Sequence, residues 1–369
     1  MPETPVAVAA FSALKLRRVT AWRGIRVHAW HGDVLYGCRG YQIVRLQISK
    51  QAEWEVVARF RPAWWRSLTS RTALTYRLMR DGFHALAILG GKTSDQAMVG
   101  AVPGALVTRT PDSDEFHVTH QIQRGTRPLH VTAVPSGSIY WGEYFDNRER
   151  AEVHIYVSTD RGRTWQIAYT FPAGSIRHVH NVVYDRWGDC LWILTGDEGA
   201  ECKVLRASCD LRSMEVMLSG NQQARAVAAV PTQNGLYLST DTPFEKNHVY
   251  RLDRTGNVEQ VADLASSSIF GCRVGCGVRE TVFFSTMVEP STVNTVREVH
   301  LVGSRAGSRD GTNWQLLARW KKDSLPMRYF QYGNALLPDG ENSTNYLAAT
   351  TIAVEREDLV TTLWEVESV

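Results

Sequence analysis

The chain is poor in cysteine, with six in 369 residues, at positions 38, 190, 202, 209, 272 and 276. Their irregular spacing does not build the paired framework of a small secreted fold, so reduced thiols are expected. Cys272 and Cys276, spaced C-x-x-x-C without a second pair, read as small core residues and not as zinc ligands. Excess charge of one sign is also lacking: Lys+Arg 41 against Asp+Glu 38 gives a formal net charge of +3. Global charge therefore gives no ground for a nucleic-acid partner, and any anion site must be local. No apolar run reaches the roughly 18 residues that cross a bilayer, and MPETPVAVAAFSALKLRR has no basic segment ahead of its short apolar stretch. These absences imply a cytoplasmic chain with no membrane span. With no low-complexity linker or like-charge run, residues 1–369 read as one domain.

What is present is short alternating apolar segments rich in Val, Tyr, Trp and Thr, broken by turn clusters such as HGD, PSGS, RWGD, TQNG and PDG. The fold class is all-β. One segment departs from this, Pro62 to Arg80, which reads as an inserted short helix or crossing loop. A unit recurs about every 45 residues: an apolar strand, a turn, a second strand and two more polar strands. The first strands stack from Gly24, Gly82, Arg127, Arg177, Gln223, Phe270 and Arg328. Seven four-stranded units make a β-propeller, with six blades the alternative count. The segment Leu14 to Trp22 is expected to complete the last blade beside the C-terminal LVTTLWEVE.

In the third unit, IYVSTDRGRTWQIAYTF places Ser158, Asp160, Gly162, Thr164 and Trp165 in an S-x-D-x-G-x-T-W pattern. Looser copies occur around Ser208 and Asp210, and around Ser308, Asp310, Gly311 and Trp314. The pattern suits a hairpin turn: Ser and Asp bond nearby backbone, Gly takes positive φ and Trp packs between sheets. It resembles the Asp-box, or BNR repeat, of the sialidase-like propeller superfamily. That resemblance implies a structural role for Asp160, on the outer strands and away from the axial mouth where ligands bind. It also implies relatives of several functions, enzymatic and not. The F/Y-R-I-P motif of sialidases has no counterpart, since Arg18 and Arg26 lie in LRRVT and GIRVH.

In a propeller the inner strand starts, and the second strand ends, at one face. Stacking the inner strands gives Arg26, His84, His130, His180, Arg225, Arg273 and Gln331 at one ring position. The second strands contribute Arg39 and Tyr41, then Glu143, Tyr144 and Asp146, then Asp197, Glu198 and Glu201, with Asp241 and Glu289 further round. Arginines converging on a partly desolvated mouth suit a carboxylate, so Arg26, Arg177, Arg225 and Arg273 are candidate ligands for an acidic oligo- or polysaccharide. Tyr41 is a candidate to stack on a sugar. Each arginine alone reads as a blade-to-blade salt bridge; the shared register carries the argument.

His178 and His180 share a strand face, and His84, His130 and His180 could hold a divalent metal or supply a base. This His-lined mouth resembles propeller polysaccharide lyases, including metal-dependent oligogalacturonate lyases. In a lyase reading His180 is the base, His178 and His130 assist or ligate metal, and Tyr144 is the acid. In a hydrolase reading, Glu143 works with Asp197 or Glu198. A third reading is a non-catalytic propeller that grips a glycan or a protein through the same ionisable mouth.

Overall fold

The structure, a computed structural model, describes residues 13–50, 53–90, 95–275, 280–306 and 313–368. Seven sheets follow one another round a central axis, antiparallel but for one added parallel strand, and all but the last step outward from an inner strand in sequence order. The inner strands of blades one to seven are Arg26–Gly32, Ala85–Leu89, Thr132–Ala133, Val179–Asp185, Ala226–Thr232, Ser268–Val274 and Asn334–Leu336. The seven-bladed expectation is met. Closure is also as expected: Leu14–Arg23 pairs antiparallel with Val360–Ser368, from Leu14 opposite Ser368 to Arg23 opposite Val360. Hydrogen bonds between the two ends of the chain thus seal the ring and cover the edge of Val360–Ser368.

Burial explains the strand order. Second strands such as Cys190–Thr195 are buried at every position, as a strand covered on both faces must be. Outer strands such as Gln166–Phe171 are exposed or half-buried, with Phe171 alone buried. Apolar clusters lie between blades; one joins Tyr140, Val153 and Ile155 of blade three to Val179, Val182 and Ile193 of blade four. That contact is close: a Cβ on Gly142 would lie 2.4 Å from Val179 Cγ1.

Trp165 and the outer hairpin of blade three behave as the sequence motif predicts. Ser158 Oγ donates to Asp160 Oδ1 at 2.7 Å and accepts from Gly162 N at 2.8 Å. Asp160 Oδ1 accepts from Thr164 N at 2.9 Å, and Gly162 sits at φ 84°. The turn joins the third and fourth strands, at the rim and not at the axis. Ser208 repeats the bond to Asp210 in blade four, at 2.6 Å. Ser308, Asp310 and Gly311 lie outside the described residues, as does Cys276.

The segment after blade one forms two short helices, α1 (Trp64–Thr69) and α2 (Ala73–Met79). Thr72 caps α2 by accepting from Thr75 N. Arg77 is buried and pins α2 across the ring, donating to Asp323 Oδ2 at 2.6 Å, Asp358 Oδ2 at 2.9 Å and the Phe330 carbonyl. A further strand, Asp339–Asn342, leaves blade seven to run parallel to the inner strand of blade one, with Asp339 opposite Ala29.

Candidate functional site

Four inner strands share a β-bulge near their start, with the register shifting at Val27/Ala29, Val179/Asn181, Ala226/Ala228 and Ser268/Phe270. The equivalent residues just before it are Arg26, His178, Arg225 and Ser267. The extra residues in the bulges are His28, His180, Val227 and Ile269. A bulge re-aims the side chain it carries. His180 is therefore two places from the ring position the sequence stacking gave it, although on the same face. Arg273 is displaced further. It lies opposite Val282 at the far end of its strand, donates to Glu280 at 2.6 Å and covers the Trp187 ring, so it does not reach the mouth. Gln331 is spent on the Arg77 carbonyl.

Asp197, just past the end of the second strand of blade four, is a hub. Its Oδ1 faces His178 Nε2 at 3.5 Å, His180 Nε2 at 3.3 Å and Arg225 Nη2 at 3.2 Å; its Oδ2 faces Arg177 Nη1 at 3.2 Å. Burial pushes this carboxyl up, but the bonds to both histidines and the Arg225 charge outweigh it and hold it well below the usual carboxylate range. His178 Nδ1 lies 3.1 Å from the Phe145 carbonyl and His180 Nδ1 2.9 Å from the Ala226 carbonyl. A carbonyl only accepts, so each Nδ1 carries the hydrogen; a neutral ring then has a bare Nε2, and the bond to Asp197 forms only when that Nε2 is protonated as well. Those two Nε2 atoms are 3.0 Å apart. Two lone pairs so close invite a cation between them: a shared proton or a metal. Burial, the largest effect, lowers the pKa of His178 against the opposing bond to Asp197. The Tyr144 ring lies 4.3 Å from that of His178 and 6.2 Å from that of His180. Burial, then the charges of Asp197 and Asp241, push the Tyr144 hydroxyl up to about 12, which keeps it a proton donor at neutral pH.

Among the described residues, His178, His180 and Asp197 alone form a group spaced to hold a metal, with donor atoms within 4.8 Å of one another. The expected trio of His84, His130 and His180 is not assembled. His84 Nε2 is 2.8 Å from the Arg80 carbonyl, and His130 Nδ1 is 3.0 Å from Asp339 Oδ2. The donor set of His178, His180 and Asp197 fits a divalent ion in spacing. Arg177 and Arg225 already answer the same carboxylate, however, and their charges oppose a dication there.

The predicted carboxylates separate. Glu143 is buried, paired through both oxygens with Arg124 and accepting from His154 N at 2.8 Å. These three bonds brace it in place. Glu198 has a side chain 65% exposed, 3.6 Å from Arg150. Arg177 also donates to Asp146 at 2.6 Å, and Arg225 lies 3.4 Å from Asp241. Three of the four arginines expected to hold a substrate carboxylate, Arg177, Arg225 and Arg273, are thus engaged by the protein's own.

The opposite side of the mouth differs. Arg26 is 5% exposed and faces two imidazoles, donating from Nε to His28 Nε2 at 3.3 Å and lying 3.5 Å from His84 Nδ1. Burial, with the charges of Arg127 and Arg26, lowers the pKa of His84; burial and Arg26 lower that of His28. Arg127 is lowered to about 10 by burial and by the charges of Arg80 and Arg26, with Tyr144 and Tyr76 opposing. Among the described residues no carboxylate pairs with Arg26 or Arg127. Sequence reasoning missed Arg127, Arg80 and His28. His28 was findable, since Arg26-x-His28 repeats the spacing of His178-x-His180.

Tyr41 lines a neighbouring cavity, its hydroxyl donating to Asp81 at 2.9 Å and pushed up to about 12 by burial. Among the described residues no helix is long and apolar enough to cross a membrane.

No protein-family model and no curated protein matches the sequence. Solved structures do match in fold. The β-propeller domain of Cps50 (Swd1) from Myceliophteria thermophila gives a TM-score of 0.57 at 10% identity over 95% of this chain and 100% of that one. The GH74 xyloglucanase from Xanthomonas campestris gives 0.54 at 15% identity, over 83% of this chain and 47% of that one. The WD40 propeller domain of Doa1 gives 0.55 at 10% identity, over 96% and 97%. At these identities the likeness establishes the propeller alone, and carbohydrate-active and WD40 propellers are equally near.

Proposed function

We propose that the axial mouth binds an acidic glycan and cleaves it by elimination, as a polysaccharide lyase. The observation that carries this reading is the position of Tyr144, its ring 4.3 Å from that of His178, in a mouth whose other side holds Arg26 and Arg127 without a carboxylate partner among the described residues. In this reading Arg127 and Arg26 take the uronate carboxylate and so acidify the adjacent C–H bond. His180, backed by His178, accepts that proton at Nε2, where it relieves the repulsion of two facing lone pairs and is answered by Asp197. Electrons of the broken C–H bond form the C=C bond, the glycosidic C–O bond breaks, and Tyr144 protonates the departing oxygen. A metal held by His178, His180 and Asp197 would instead supply charge to the carboxylate. Resistance to chelators is expected here because Arg177 and Arg225 already occupy the Asp197 carboxylate.

The test is incubation with polyuronates of defined composition, reading the ultraviolet absorbance of the unsaturated product. Activity is expected, with His180→Ala and Tyr144→Phe each losing on the order of 10²–10⁴ in kcat. Reducing ends released without that absorbance would instead indicate a hydrolase.

A second reading, a non-catalytic propeller that grips an acidic ligand, is favoured by one observation: His178 and His180 are only 4% and 3% exposed. It predicts saturable binding that falls on Arg127→Ala, with no product after prolonged incubation. Absence of both turnover and binding across the polyuronates would reject both readings.

A further inference from the structure

A cavity of about 650 Å³ lies between the start of blade one and the α1–α2 segment, separate from the His178–His180 group. Its wall brings together Arg23, Arg26, Arg39, Arg59 and Arg71, and Asp358 is the only carboxylate residue lining it. Asp358 is already committed to Arg77, 2.9 Å away. Among the described residues Arg39, Arg59 and Arg71 have no carboxylate partner. Two buried groups mark this as a built site and not a stretch of basic surface. Arg26, 5% exposed, has imidazole, thiol and aromatic neighbours and no carboxylate among the described residues. Tyr76, 6% exposed, has a hydroxyl with no nitrogen or oxygen partner, facing only the Cys38 thiol. A buried guanidinium without a countercharge and a buried hydroxyl without a good acceptor cost free energy unless something supplies them. The volume falls within the range of small-molecule sites.

We propose that this cavity binds a phosphate-class oxyanion carried by a larger molecule. A tetrahedral dianion offers several acceptor oxygens and enough charge for guanidiniums arriving from three directions: blade one, its outer strand and the inserted helices. The same chemistry has two sources, a soluble phosphorylated metabolite or a phospholipid headgroup, and the rim bears on which. Trp64 is 76% exposed, with Trp65 and Leu68 also exposed on α1. Residues 59–80 hold six arginines and no Asp or Glu. Arg61, Arg66 and Arg77 are paired with Glu115, Asp81 and Asp323, while Arg59, Arg71 and Arg80 have no carboxylate partner among the described residues. Exposed indoles on a segment that carries such arginines are the composition of an interfacial element.

The experiment uses the full chain and two probes, inorganic pyrophosphate by calorimetric titration and vesicles containing phosphatidic acid by cosedimentation. The expected result is saturable pyrophosphate binding at constant ionic strength, weakened at least about tenfold in an Arg39→Ala/Arg71→Ala variant. Both residues are exposed, so the fold should survive; the unfolding midpoint checks it. A lipid source adds vesicle binding that Trp64→Ala/Trp65→Ala abolishes while leaving pyrophosphate affinity intact. A soluble source leaves vesicles unbound. No saturable binding of either probe, or binding indifferent to Arg39→Ala/Arg71→Ala, overturns the proposal. The variant spares Arg26, which lines this cavity and also serves the axial mouth.

Discussion

The two sides of the axial mouth are built from the same residue types and differ in how charge is answered. Across blades four and five, Arg177, Arg225, His178 and His180 converge on Asp197, with Asp146 and Asp241 completing the set. Across blades one to three, Arg26, Arg127 and Arg80 face His28 and His84 with no carboxylate partner for Arg26 or Arg127 among the described residues. The first arrangement is balanced in charge without a ligand, although Nε of Arg177, Nε of Arg225 and Oδ1 of Asp241 are buried without a hydrogen-bond partner. The second is not, and folding alone gives no reason to keep it. A buried charge without its partner is a cost borne for something outside the chain.

The sharpest way to break this contrast is to remove a charge from each side. Asp197→Asn leaves two guanidiniums and two imidazoles around a lost anion, and should lower unfolding free energy by about 3–5 kcal/mol in denaturant titration. Arg26→Met keeps most of the volume and removes an unanswered charge, and should be neutral or stabilising by roughly 1 kcal/mol. Losses of similar size in both variants would show that the two sides are not different in kind.

Acid and base sharpen the same contrast. His28 and His84 are held below the ordinary imidazole value near 6.5 by burial first, then by arginine charge. A folded pKa below the unfolded one gives stability that is present above about 6.5 and lost as pH falls. On the other side Glu289, which accepts from Ser267, is pushed up to about 7 by burial and then by the Asp241 carboxylate, with Arg225 opposing. A raised carboxyl contributes below its unfolded value near 4.5 and loses that contribution as pH climbs through about 7. Thermal midpoints across pH 5–8 should therefore show Glu289→Gln flattening the alkaline limb. His28→Gln/His84→Gln should flatten the acid limb. Interchange of the two effects would contradict the assignment.

Much of this was legible before the structure. Turn spacing and alternation gave the seven blades and the closure of Leu14–Arg23 on the last of them, because ring packing imposes one pattern on every repeat. The site was half legible. Arg26 and His180 fall on the right face since a slip of two residues preserves sidedness in a strand. The bulges at His28 and His180 are backbone irregularities without a sequence signal here. Blade six was stacked from Phe270, and so picked Arg273, because its true start is the small polar run Ser266 to Ser268. Glu143 looked catalytic because its partner Arg124 lies 19 residues away, beyond any local pattern. Arg127 opens the third stacked unit, but the inner strand there has only two residues, Thr132–Ala133, and the stacking put His130 at the ring position instead.

The smallest expected effect concerns Glu198, which the hydrolase reading paired with Glu143. Its carboxylate is 65% exposed and only loosely opposed by Arg150, which donates more closely to Glu201. Exposed pairs of this kind contribute about 0–1 kcal/mol. Glu198→Gln should change stability by less than about 0.5 kcal/mol and leave turnover of any polyuronate within twofold. Tyr144→Phe, one residue from the braced Glu143, should keep the fold and lose the activity. If Glu198→Gln abolished turnover while Tyr144→Phe kept it, chemistry would lie at the solvent edge of blade four. The unanswered arginines would then only hold the ligand.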